Sequence, residues 1–137
     1  MHPSIESLAN GFPDLIFYLL LVTAIYIAGL TIYVKLTPHK EITLINEGNM
    51  AAAISFSAVV MGLALPLAAC LVAKVSLFDV LVWGVVSLLL QLFLFRLTDL
   101  IFAGMPERIT NGEVPPATVM ATFKLAGSLI LAIAIAG

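Results

Sequence analysis

Charge is scarce in this chain. Of 137 residues, 6 are Lys or Arg and 8 are Asp or Glu, for a net charge of −2. Soluble domains carry roughly 25 % charged residues; here the share is 10 %. With no basic surface there is nothing to displace counterions from phosphates, so nucleic acid is not an expected partner. Cysteine is limited to Cys70, which excludes an internal disulfide, and CxxC and Cys/His zinc spacings are absent. Cys70 lies in an apolar run and reads as a packed thiol. A Gly-rich phosphate loop before a helix and an HExxH pair are also missing, and no Ser and His are placed as nucleophile and base. No enzyme, metal site or cofactor is expected.

What the chain has is apolar length: 62 % of it is hydrophobic. Four stretches, 15–36, 50–73, 80–102 and 117–136, each reach the span of about 20 residues that a helix needs to cross a bilayer. Backbone groups in lipid must be paired internally, so each stretch is expected to be a helix, and none alternates as a barrel strand would. The expectation is an all-α polytopic membrane protein, with residues 1–137 as one membrane domain. No Lys or Arg precedes the first run, which carries Glu6 and Asp14 instead. It therefore reads as a retained span and not a signal peptide.

The connectors are short. Lys35, Lys40, Arg96 and Arg108 fall on one side, against Lys74 on the other. The excess marks the cytoplasmic side, placing both termini outside.

The chain also resembles itself. Ile45-Asn46-Glu47-Gly48-Asn49 aligns with Ile109-Thr110-Asn111-Gly112-Glu113 at a shift of 64, and Ala53, Leu65 and Ala68 then meet Ala117, Leu129 and Ala132. At a shift of 65, Asp14 meets Asp79 and Tyr18 meets Trp83. Repeat one covers about 12–73 and repeat two about 77–137. An even number of spans per repeat makes them parallel, unlike the inverted repeats of many transporters. Small residues at four-residue spacing run down the second span (Ala58 and Gly62, Ala64 and Ala68) and the fourth (Ala117 and Ala121, Ala132 and Ala136). Such residues let helices approach closely, so these two spans are expected inside, with the bulkier first and third outside.

Ionisable residues within spans are costly and mark candidate sites. On a 100° wheel Ser87, Gln91 and Thr98 lie within about 40° of one another, and Asp99 and Arg96 are expected to extend that polar arc. Arg96 and Asp99 are close enough along the helix to pair. Lys124, deep in the fourth span, could instead partner Asp99 or snorkel to the interface. The remaining candidates are connector contacts: His39, Lys40, Glu41, Glu47 and Asn49 in residues 37–49, and Glu107, Arg108 and Glu113 in residues 103–116. Asn49 and Glu113 stand where helices begin and also suit capping.

The segment 33–57 (YVKLTPHKEITLINEGNMAAAISFS), with its Thr37-Pro38-His39 turn, resembles the first-repeat motif of the YjfL (UPF0719-type) family of small bacterial inner-membrane proteins. Arg108-Ile109-Thr110-Asn111-Gly112 resembles the second, and Pro115-Pro116 departs from it. The resemblance implies a bacterial inner-membrane protein of unknown function with no established catalytic residues. It also implies a neighbourhood of ATP-grasp ligases of the glutathionylspermidine-synthase type and of envelope-stress proteins.

Of three functions, the first is preferred on the repeat geometry and the other two are alternatives. The first is a homo-oligomeric assembly forming a small pore or ion channel linked to envelope stress. The second is a scaffold recruiting a cytoplasmic protein through the two polar connectors. The third is a small proton-coupled transporter using Lys124 or Asp99. The lipid bilayer is a partner in all of them.

Overall fold

A computed structural model of the chain describes residues 2–37, 40–73 and 76–137. Pro38, His39 and Lys74 lie outside the described residues. Among the described residues six helices follow in order: α1 (Pro3–Leu36), α2 (Glu41–Asn46), α3 (Met50–Val72), α4 (Leu77–Ile101), α5 (Met105–Thr110) and α6 (Val114–Ala136). The protein is an all-α membrane protein, and α1, α3, α4 and α6 are long and apolar enough to span a bilayer.

Two boundaries differ from expectation. α1 begins at Pro3, well before the apolar run. His2 accepts a hydrogen bond from the Ser4 N–H at 3.1 Å, and proline suits the first helical turn. Polar residues there extend the helix without adding to its apolar span. The two polar connectors are also not plain loops, because α2 and α5 lie inside them at an offset of 64 residues. Each ends before a glycine in the left-handed region, Gly48 (φ 88°) and Gly112 (φ 76°), where a side chain would be strained. Pro115 and Pro116 fall in the first turn of α6, where a missing N–H leaves no helical bond unmade.

Asn49 joins α3 to α5 at this end. Its side-chain oxygen caps α3 by accepting from the Ala52 N–H, and its amide donates to the Ile109 carbonyl at 2.8 Å. Below it Ala51, Ala52, Met105, Ile109, Ala117 and Met120 form a closed apolar cluster.

The most extensive helix interface is between α3 and α6. Both bury small residues: Ala51, Ala52, Ser55, Ala58 and Gly62 on α3, and Ala117, Ala121, Ser128 and Ala132 on α6. The expected division into inner and outer pairs needs correction. α4 packs against α1, α3 and α6, burying Gly84, Ser87, Leu88, Gln91 and Phe95, and its apolar window is as buried as that of α6 (28 % each). α3 is the central helix, and α1 is the most peripheral span.

One local defect fastens the central interface. Pro66 lies inside α3 and has no N–H, so the Gly62 carbonyl one turn earlier lacks its helical donor. Ser128 of α6 supplies the replacement, its hydroxyl donating to that carbonyl at 2.5 Å. Gly62 must also stay small, because a Cβ there would meet the Phe95 ring at 2.8 Å.

Ser128→Ala is expected to destabilise the protein by about 1–3 kcal/mol, the usual cost of orphaning a buried acceptor. In a Pro66→Ala background the residue-66 N–H takes over, so the loss should shrink. Thermal unfolding of the four proteins of this cycle in mild detergent measures the difference.

Candidate functional site

Four elements meet near the end of the bundle that carries α2 and α5. The last turn of α1 contributes Tyr33, and Thr37 closes that helix by donating its hydroxyl to the Tyr33 carbonyl at 2.7 Å. The chain then turns into α2, whose first residue, Glu41, is buried and accepts a hydrogen bond from the Tyr33 hydroxyl. α4 contributes Phe95 and, one turn on, Asp99. α6 contributes Lys124, whose Cα lies about 15 Å along that helix from its start.

The Lys124 ammonium is 2.8 Å from an Asp99 carboxylate oxygen. The lysine side chain is 1 % exposed and the aspartate 31 %, so the pair has one dry member and one facing a cleft. The ammonium also lies 5.5 Å from the Phe95 ring centre and 5.7 Å from that of Tyr33. The two rings meet edge-on at 6.2 Å. Aromatic faces attract cations, so the ammonium is held by one carboxylate and two rings. Tyr33 carries the arrangement outward to Glu41, placing two carboxylates, one ammonium and one phenol in a single cluster.

Clefts surround this cluster. One of about 280 Å³ is lined by Tyr33, Thr37, Leu92, Phe95, Arg96 and Asp99. A second of about 330 Å³ shares Tyr33 and adds Lys35, Lys40, Glu41 and Thr43. A third of about 260 Å³ shares Arg96 and Asp99 and runs under α5. Among the described residues no three His, Cys, Asp or Glu side chains converge as a metal site.

The expected site residues separate into groups. Asp99 and Lys124 come together, and Lys124 does not snorkel into open solvent. Asp99 pairs with Lys124 and not with Arg96. A rotation of 100° per residue puts Arg96 about 180° from Ser87, and it is exposed, outside the polar arc. Thr98 is half-buried and donates to the Leu94 carbonyl of its own helix. Ser87 and Gln91 are buried farther along the bundle. Of the connector residues, Glu41 turns inward and is not a surface contact. Asn49 bonds to the backbone around α5, and Arg108 and Glu113 form an exposed pair at 3.3 Å. Lys40, Glu47 and Glu107 are exposed.

Tyr33 and Phe95 belong to the site but look in the sequence like lipid-facing aromatics. A tyrosine one turn before a polar connector was the available signal.

Asp99→Asn should destabilise the fold by about 3 kcal/mol, since it leaves a buried ammonium without its counter-charge. The joint change Asp99→Leu with Lys124→Met should cost less than Asp99→Asn alone. Equal losses in detergent unfolding would remove the ion pair as a structural unit. Tyr33→Phe should cost about 1–3 kcal/mol through loss of the buried hydrogen bond to Glu41.

The family described as a Domain of Unknown Function, DUF350, matches residues 7–135. The chain is 35 % identical over 112 residues to the UPF0719 inner membrane protein YjfL of Escherichia coli strain K12, covering 82 % of this chain and 85 % of that protein. The protein of that name from Escherichia coli O157:H7 matches with the same figures. No solved structure matches the chain.

Proposed function

We propose that this chain, which belongs to the DUF350 family, is a small proton-coupled transport protein of the bacterial inner membrane, with Lys124–Asp99 as its working pair. The observation that carries the reading is the fully buried ammonium whose counter-ion opens to a cleft. A charge in a membrane interior is costly and marks ion and proton pathways. Protonating Asp99 removes the attraction that holds Lys124 in place, so uptake of one proton at the cleft changes the charge balance of the bundle interior. Tyr33 and Glu41 link that balance to α2.

In this reading the α2/α5 end faces the cytoplasm, supported by Lys35, Lys40, Arg96 and Arg108 at that end. Both termini then lie outside. A pore lined by several copies is supported less well, because it needs polar side chains facing a shared axis. The exposed hydroxyls of Thr31, Thr118 and Thr122 instead donate to carbonyls of their own helices. A homo-oligomer remains compatible with the transport reading. The exposed charges of Lys40, Glu47, Glu107 and Arg108 offer a surface to a cytoplasmic protein, which is the scaffold alternative. The reading invokes no enzymatic step and no cofactor.

The test is dissipation of an imposed pH gradient by purified protein in liposomes holding a pH-sensitive dye. The unmodified protein should relax the gradient faster than empty liposomes, and Asp99→Asn and Lys124→Met should each slow it at least tenfold. Relaxation no faster than in empty liposomes, or full activity in both variants, overturns the proposal.

A further inference from the structure

The far end of the bundle holds another cleft, of about 440 Å³, lined by Cys70, Ala73, Asp79, Val80, Trp83 and Ala134. Between it and the ion pair lie polar side chains on the inward face of α4. Ser87 donates to the Trp83 carbonyl at 2.6 Å, and its oxygen is 3.3 Å from the Cys70 sulfur. One turn on is Gln91, 1 % exposed. The next turn brings Phe95, which packs against the Lys124 ammonium.

Gln91 stands out chemically. Both its amide nitrogen and its amide oxygen are buried and have no hydrogen-bond partner among the described residues. The hydroxyl oxygen of Ser55, on α3, is in the same condition. A buried polar group left unmatched costs about 1–3 kcal/mol, and lipid offers no substitute partner. An amide has two donors and two acceptor sites to satisfy. Buried water fills this role in proteins, making about three hydrogen bonds to groups that otherwise have none.

We infer that Gln91 holds buried water, and that this water is part of the proton path joining the Asp79–Cys70 cleft to the Lys124–Asp99 pair. The inference rests on the transport reading and names its route. A proton enters at the Asp79 side and passes from water to water, each O–H bond formed on one face of a water matched by one broken on the other. At the far side Asp99 takes it and releases it to the cleft beside Tyr33. Gln91 positions the waters by donating to one and accepting from the next, and it is not itself ionised. Phe95 and Gly62, packed against one another, narrow the route just before the ion pair.

Two measurements test this. In the liposome assay Gln91→Leu, which keeps the volume and removes the polar atoms, should slow gradient relaxation at least tenfold. In a Cys70→Ala background, Gln91→Cys should react with a small cationic methanethiosulfonate reagent added to membrane-embedded protein. If Gln91→Leu relaxes the gradient as fast as the unmodified protein while Lys124→Met does not, the water route is overturned and the transport reading survives. If the unmodified protein moves no protons, the transport reading fails and labelling decides the rest. A reactive Gln91→Cys then keeps the buried water as a hydrated channel in the fold, and an unreactive one overturns it.

Discussion

The bundle depends on a hydrogen bond that its central helix cannot make for itself. Pro66 deprives the Gly62 carbonyl of its donor, and Ser128 of α6 provides one. In water that carbonyl could turn to solvent. In a bilayer interior it has no such recourse, so the defect in α3 becomes a reason for α6 to dock in one register. Small residues on both helices then allow the close approach that the bond requires. With α6 fixed at that height, Lys124 is carried to the level from which its ammonium reaches Asp99.

The ion pair follows from this architecture at an energetic cost. Hydrophobic residues of similar size would make a drier and commonly more stable core. The site instead keeps an ammonium between two aromatic faces and one carboxylate, beside a cleft. Its retention inside a chain with so few charges is what gives the site its interest. The rest of the bundle surrounds the pair with large side chains, Phe95 and Tyr33 foremost, and Tyr33 in turn bonds Glu41 at the start of α2.

Much of the fold could be read from hydropathy because lipid imposes a simple rule: an apolar run of sufficient length must be a helix. The six-residue α2 and α5 escaped because less than two turns cannot show a helical period, and their polar residues resemble loop. The early start of α1 escaped because residues 3–14 are helical without being continuously apolar. In the site, Asp99 and Lys124 stood out because charges are rare within spans. Their partnership needed the relative height of α4 and α6, which no single-helix pattern contains. Arg96 and Asp99 neighbour the polar arc in sequence, but at 100° per residue they lie about 180° and about 120° from Ser87. Tyr33 was hidden because a tyrosine near a membrane boundary usually faces lipid headgroups, whereas here it turns inward to Glu41. Gln91 could be read as a buried polar residue, but its lack of a partner is a property of the packed bundle alone.

α1 has one more consequence. At 1.5 Å per residue its 34 residues extend about 51 Å, against a hydrocarbon thickness of about 30 Å. Its apolar run, 15–36, extends only about 33 Å, so the excess is the N-terminal part, which stands proud of the surface as a post. The opposite end of the same rod carries the phenol that touches Glu41.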